Sequence, residues 1–335
     1  MSASTGTRVG VIGAGAIARM VHLPVLTAMP DVRLAFLADA DGARAAALAG
    51  AYGVPHRDVH DLAGAVAECD AVLLAIPLGA RAPYLELLGR TGVGTLVEKP
   101  FARTLGEHRR LLDLLPAHKL ACGFMRRTYA SSLLAQRVLR EGWLGPPRRI
   151  RVSEGGRTTK TGVDASHFDR LAGLSGGVLL DLGCHALDLA IHLTGARGHR
   201  LLGQEMVLDG KVDRRAEGEV ALDVGGGRTL PLHYVFSWLD RQEDVLEIEF
   251  EQARLRLSAR PERAPVLLGL GHDAKEVRLA LEEGGATTSN QAFYLEWRWV
   301  LDGIRSGAPS ALAAASCLPL TALLEDLYAA SGAAA

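Results

Sequence analysis

Three groups of residues in this 335-residue chain have types and spacings suited to chemistry. The first is a glycine turn, Gly13-x-Gly15-x-x-Ala18, which follows the apolar run Arg8–Ile12. A strand, a glycine-rich turn and a helix start in that order make an anion site. The first N–H groups of a helix lack partners, and its dipole favours negative charge there. Gly13 suits the tight turn, Gly15 the close approach of a pyrophosphate, and Ala18 the packing of helix on strand, with Ala16 and Ile17 at the helix start. Asp39 closes the next apolar run, Val32–Ala38, about twenty residues on. An acid there accepts hydrogen bonds from ribose hydroxyls and repels a 2′-phosphate. Together these predict a dinucleotide site that favours NAD. Arg44, close by, softens the preference and keeps NADP open. Two plainer readings compete: a secretory leader with Ala16-Ile17-Ala18 as its cleavage site, and a turn that holds no ligand. Against the leader, the run is short and broken by glycine, and a single cation precedes it.

The second group is Glu98-Lys99-Pro100, directly after the apolar strand Val93–Val97. Pro100 fixes its own φ and restrains Lys99. A lysine closing a strand is commonly a surface ion-pair partner. At the ligand-facing edge of a parallel sheet it is placed to touch cofactor or substrate. Ile76 and Pro77, where the strand Ala71–Ile76 ends, share that edge and are further cofactor candidates.

The third group lies on one helical stretch, Gly176–His192, which carries Asp181, His185, Asp188 and His192. Asp181 and His185 are four apart, so a helix puts them on one face. Three readings stay open. Asp181, His185 and Asp188 could hold a metal, although a third well-placed ligand is not evident. Asp181 could cap the helix with His185 satisfied in the core. Or the two form an acid/base pair, since histidine titrates near neutrality and suits proton transfer to or from a hydroxyl.

These groups need elements to position them. Residues 7–123 alternate strand and helix patterns, with strands expected at Arg8–Ile12, Val32–Ala38, Gly53–Pro55, Ala71–Ile76, Val93–Val97 and Lys119–Gly123. Helices are expected between them, at Ala16–Met29, Ala43–Tyr52, Val59–Glu68, Ala82–Thr91 and Leu105–Leu115. Such alternation implies a doubly wound parallel sheet with helices on both faces. A helix at Ser131–Glu141 and a Gly/Pro break bridge to a second region rich in strands. Gly225-Gly226-Gly227 marks a hairpin turn there. The expected fold is therefore α/β. A Rossmann domain over residues 1–124 is followed, over 125–335, by an α+β domain with a large, mainly antiparallel, open-faced sheet for substrate binding and oligomerisation. The helices Asn290–Ser306 and Cys317–Ala330 are candidates to pack back on the first domain. Trp297 and Trp299 cannot share a helix face.

Composition sets the frame. Hydrophobic residues are 48% and charged residues 22%, an ordinary globular balance. A formal net charge of −1 gives no case for nucleic acid or an anionic membrane as main partner. No apolar run is long enough to span a bilayer. The four cysteines have no metal-ligand spacing, which fits a reducing, cytoplasmic setting.

In these motifs the chain resembles the glucose-fructose oxidoreductase / inositol dehydrogenase / rhizopine catabolism (Gfo/Idh/MocA) family. The matching elements are the glycine turn followed by His22-Leu-Pro, Asp39, Glu98-Lys99-Pro100, Gly123-Phe-Met-Arg-Arg127, and Gly176-Gly-x-Leu-x-Asp181-x-Gly-x-His185-x-x-Asp188. They run in family order over most of residues 8–195. The resemblance implies a metal-free oxidoreductase using NAD, with NADP possible, that moves a hydride to or from a secondary alcohol or ketone of a sugar, amino sugar or cyclitol. It implies Lys99, Asp181 and His185 as catalytic residues. Gly13, Gly15, Ala16, Ile17, Asp39, Arg44, Ile76, Pro77, Glu98 and Lys99 would meet the cofactor. Lys99, Arg127, Asp164, His167, Asp181 and His185 would meet the substrate. It also implies a homodimer or homotetramer built on the second sheet. An NAD-dependent glycosidase with transient oxidation and a non-catalytic ligand sensor are the alternatives on the same fold. One segment departs from the family. Pro77-Leu78-Gly79-Ala80-Arg81 stands where Pro-Asn-x-x-His is usual, which makes Arg81 a candidate to bring in an anionic group.

Overall fold

The computed structural model describes residues 6–156, 176–269 and 275–332. It divides into two compact units, one made of Met1–Ala102, Gly106–Phe124 and Phe293–Ser316, the other of Arg103–Leu105, Met125–Ala292 and Cys317–Ala335.

The first unit is built on six parallel strands: β1 (Thr7–Ile12), β2 (Val32–Ala38), β3 (His56–Arg57), β4 (Ala71–Leu74), β5 (Gly94–Glu98) and β6 (Leu120–Gly123). Their order is β3-β2-β1-β4-β5-β6, so the winding direction reverses between β1 and β4. In such sheets ligands bind beyond the carboxyl ends at the reversal. β4 and β5 are buried along their whole lengths, as strands covered on both faces must be. Two strands depart from expectation by more than one residue. β4 stops at Leu74, leaving Ala75 and Ile76 in the following loop. The third strand falls at His56–Arg57 rather than Gly53–Pro55, because Gly53 caps the preceding helix with φ +64° and donates to Ala49 and Gly50 carbonyls. The helix Ser289–Ser306 returns to this unit, with Trp297 in the interior and Trp299 half-buried.

The second unit is built on eight strands: β7 (Arg149–Gly155), β8 (Gly198–Asp209), β9 (Val212–Asp223), β10 (Thr229–Ser237), β11 (Val245–Glu249), β12 (Ala253–Ser258), β13 (Val266–Gly269) and β14 (Glu276–Arg278). The order is β14-β13-β12-β11-β7-β10-β9-β8, antiparallel except where β10 runs parallel to β7. Gly225, Gly226 and Gly227 all have positive φ and turn β9 into β10, with the Val224 N–H on the Arg228 carbonyl. β13 and β14, of four and three residues, are too short to show a period in the sequence. Ile150, Val152, Leu246, Ile248, Leu255 and Leu257 put one sheet face into the core. The alternate positions are charged and opposite in sign across the register: Glu247 stands opposite both Arg151 and Arg256, and Glu249 opposite Arg149 and Arg254. Among the described residues no helix is long and apolar enough to cross a membrane.

Candidate active site

The glycine turn leaves β1 as its residue types require. Gly13 has φ +108°, and a Cβ there would lie 2.2 Å from the Ala75 carbonyl oxygen. Gly15 would meet nothing within 4 Å, so its main chain faces open space. Asp39 stands at the end of β2 and holds the turn. Its Oδ2 accepts the Ala14 N–H at 2.6 Å, while Oδ1 accepts the Asp41 N–H at 2.8 Å and an Arg44 guanidinium N–H at 2.7 Å. Burial works against the charge, but those donors outweigh it and hold the carboxyl below its usual range. Oδ1 is filled by two donors, and Oδ2, with one, retains an acceptor site for a sugar hydroxyl. An open glycine backbone beside an ionised, pre-oriented acid fits a bound dinucleotide. The helix beyond is not a plain α-helix from Ala16 to Met29. Ala18–His22 forms a π turn, with the Leu23 N–H on the Ala18 carbonyl, and an α-helix follows over Leu23–Ala28. Pro24 has no N–H to donate one α turn back, so the regular ladder is broken there.

That turn sends His22 inward. Its Nε2 lies 2.7 Å from Glu98 Oε1 and its Nδ1 lies 3.1 Å from Trp297 Nε1. Indole N–H only donates, so Nδ1 is an acceptor and the imidazole proton sits on Nε2, donated to Glu98. The second Glu98 oxygen accepts the Lys99 N–H at 3.1 Å. Burial disfavours the Glu98 charge, yet the His22 hydrogen bond and the nearby Lys99 and Arg81 cations leave its carboxyl below the usual range. Lys99 itself is half-buried at the carboxyl end of β5. A second buried carboxyl, Glu296, adjoins this cluster. It is 0% exposed, and neither of its oxygens has a hydrogen-bond partner among the described residues. Burial, then the Glu98 charge, pushes it well above the usual range, which favours the protonated form. His22, Trp297 and Glu296 were missed as site residues. The sequence signal for them was faint: a histidine inside an apolar helix and a lone acid amid aromatics.

Arg81 corrects an expectation. Only 4% exposed, it does not present its charge to an anion. Its Nε donates to the Ile76 carbonyl at 3.0 Å, and its two terminal nitrogens to the carbonyls of Pro100 and, at 3.4 Å, Lys99.

In the second unit a π turn over Leu179–Gly183 leads into the α-helix Cys184–Thr194. Asp181 lies inside that turn, so it is not the helix cap. That role belongs to Asp213 of β9, whose Oδ2 accepts the Leu179 N–H at 2.7 Å while Oδ1 accepts the Tyr328 hydroxyl at 2.8 Å. Between Gly177 and Ile191 only Leu180, Asp181, Leu182 and His185 reach partial exposure. Asp181 and His185 are thus the two polar side chains of that stretch that approach a surface. Arg127 departs from the expectation that it lines a substrate pocket. It is 1% exposed, with Nε 2.8 Å from Asp188 Oδ2 and a second hydrogen bond from Nη2 to Oδ1. The same pairing takes Asp188 away from any metal. Its neighbour Arg126 pairs likewise with Glu154. Asp164 and His167 lie outside the described residues.

Comparison with known proteins agrees with this architecture. Residues 7–124 match the family described as "Oxidoreductase family, NAD-binding Rossmann fold", and residues 133–256 match the C-terminal domain of the same family. Inositol 2-dehydrogenase of Rhizobium meliloti (strain 1021) is 31% identical over 56% of this chain and 55% of its own length. A dTDP-3,4-didehydro-2,6-dideoxy-alpha-D-glucose 3-reductase of Streptomyces antibioticus is 29% identical over 57% of this chain and 58% of its own. The chain therefore matches a little over half the length of these relatives. Aldose-aldose oxidoreductase from Caulobacter crescentus shares the fold at a TM-score of 0.79, with 18% identity over 98% of each chain. With both domains matched in order, the chain belongs to the Gfo/Idh/MocA oxidoreductase family and carries its NAD-binding Rossmann domain.

Proposed function

We propose that this chain is an NAD(P)-dependent oxidoreductase that moves a hydride between nicotinamide and a secondary alcohol or ketone of a sugar, amino sugar or cyclitol. The observation that carries the reading is the position of Lys99. It leaves β5 at the ligand-facing edge of a sheet whose first turn is a dinucleotide cradle. Relatives named as an inositol dehydrogenase and a sugar-nucleotide reductase support the substrate class.

When bound, the nicotinamide gives or accepts the hydride. His185 takes the alcohol proton in oxidation and returns it in reduction. Lys99 hydrogen-bonds the same substrate oxygen and stabilises negative charge developing on it. Asp181 orients the histidine or a neighbouring substrate hydroxyl. Asp39 accepts ribose hydroxyls, which makes NAD the preferred cofactor.

The test is a screen of polyols, inositols, amino sugars and their keto forms with NAD and NADP, following nicotinamide absorbance. Lys99→Ala and His185→Ala are each expected to lower kcat/KM by about 10²–10⁴-fold. Turnover unchanged by either substitution would sink the mechanism.

Self-association through the second sheet belongs to the same proposal. Its charged face carries the half-exposed side chains of Arg149, Arg151, Arg254 and Arg256. Pairing there would rest on charge and would weaken with salt. Sedimentation at low and high ionic strength measures it; a salt-insensitive oligomer would speak for another surface.

A further inference from the structure

Arg81 sits in the first unit with almost no exposure, and its donors converge on main-chain carbonyls of two loops. One loop follows β4 and the other follows β5, and both lie at the ligand-facing edge of the sheet. The guanidinium reaches Ile76 in the first loop and Lys99 and Pro100 in the second. The Lys99 peptide groups are therefore bracketed. A carboxylate oxygen of Glu98 accepts the N–H, and a nitrogen of Arg81 reaches the carbonyl. The 3.4 Å contact to Lys99 is the weakest of the three, so the Pro100 and Ile76 bonds carry most of the restraint. Burying a cation against neutral carbonyls alone is costly. Here Glu98 supplies a neighbouring anion, which offsets the cost. A guanidinium suits the task because its rigid planar fork fixes donors on three separate nitrogens, whereas an ammonium group carries its three rotating donors on one.

We propose that Arg81 is a positioning residue for Lys99: it ties the Lys99–Pro100 main chain to the Ile76 carbonyl and so sets where the lysine ammonium stands relative to the reacting oxygen. The inference rests on the reading of Lys99 as the residue that meets that oxygen. Arg81 acts in this proposal only through the main-chain carbonyls it binds. Releasing the tether lets the lysine drift, and a misplacement of about 1 Å costs roughly 10²-fold in rate.

A double-mutant cycle between Arg81→Ala and Lys99→Ala tests this, with Arg81→Lys as a milder variant and circular dichroism and thermal melting to confirm folding. Arg81→Ala alone is expected to lower kcat about 10²-fold, and Arg81→Lys less. In the Lys99→Ala background, Arg81→Ala is expected to cost less than about twofold more, because the residue it positions is gone. Amide exchange read by mass spectrometry is expected to quicken in the peptide covering residues 98–102 of Arg81→Ala, with peptides of β1 and β2 unchanged. If Arg81→Ala does not fold, Arg81→Lys enters the cycle in its place, with the same expectation of non-additivity. Losses that multiply, or wild-type turnover in the Arg81 variants while Lys99→Ala is inactive, would overturn the role of Arg81 alone. Wild-type turnover in Lys99→Ala would overturn the reading of Lys99 first.

Discussion

The Trp297 indole N–H donates to His22 Nδ1 at 3.1 Å, and this decides which way His22 faces Glu98. With Nδ1 filled, the imidazole offers its remaining N–H to the Glu98 carboxylate at 2.7 Å. Replacing His22 by Ala removes the donor and leaves a buried carboxylate under-satisfied. We expect a stability loss of about 2–4 kcal/mol by urea unfolding, combining the lost side-chain packing with the orphaned charge. Trp297→Phe keeps most of the packing and releases the tautomer, so its loss is expected to be nearer 1 kcal/mol. Equal losses from both changes would show that packing, not the hydrogen-bond relay, is what matters.

Glu296 makes stability depend on pH, with a definite sign. Its carboxyl titrates well above the usual 4.5 in the folded chain. Above that usual value the unfolded chain has released the proton and the folded chain still holds it. The unfolded state then binds fewer protons, so stability falls as pH rises, until the folded-state pKa is reached. Glu296→Gln has no such proton. Relative to wild type it is expected to gain stability progressively above about pH 4.5, by at most ~1.4 kcal/mol for each unit of pKa elevation. The amide carries its own burial cost at every pH, so the diagnostic is the slope of the difference. Melting curves from pH 4 to pH 8 measure it, with flat parallel profiles being the contrary result.

Arg127 offers a clean choice between a structural and a substrate-binding role. It and Asp188 are both almost wholly buried and paired. Arg127→Ala leaves the Asp188 carboxyl buried without its guanidinium and is expected to destabilise by about 3–5 kcal/mol. Full stability together with a raised KM would restore the substrate role.

Asp39 is the cofactor test. Asp39→Ala removes both the ribose acceptor and the acceptor for the Ala14 N–H. NAD affinity is expected to drop about tenfold or more, equivalent to roughly 1.4 kcal/mol, with NADP affected less. Arg44→Ala is expected to move selectivity the other way. Fluorescence titration of the reduced cofactors reads both, and a wild type that prefers NADP would refute the assignment of Asp39.

How much of this was legible beforehand differs by residue. The glycine turn, Asp39 and Lys99 could be placed because local rules govern them: a strand, a turn that only glycine tolerates, and a residue just beyond a strand end. Asp181 and His185 could be put on one helix. The π turn through Leu179–Gly183 could not be foreseen, since it follows from how that helix enters the fold and not from spacing.

What the sequence by itself determined is the order of elements, the parallel winding of the first sheet, the mainly antiparallel second sheet and the residue types at their ends. Periodicity and turn chemistry act over a few residues, so they survive without tertiary context. What only the tertiary structure decided is where the polar groups spend their hydrogen bonds. His22 meets Trp297 across 275 residues, Arg127 meets Asp188 across 61, and Arg81 turns inward to carbonyls nineteen residues away or less. A buried polar group takes whichever partner packing delivers, because leaving it unsatisfied costs more than any local preference returns.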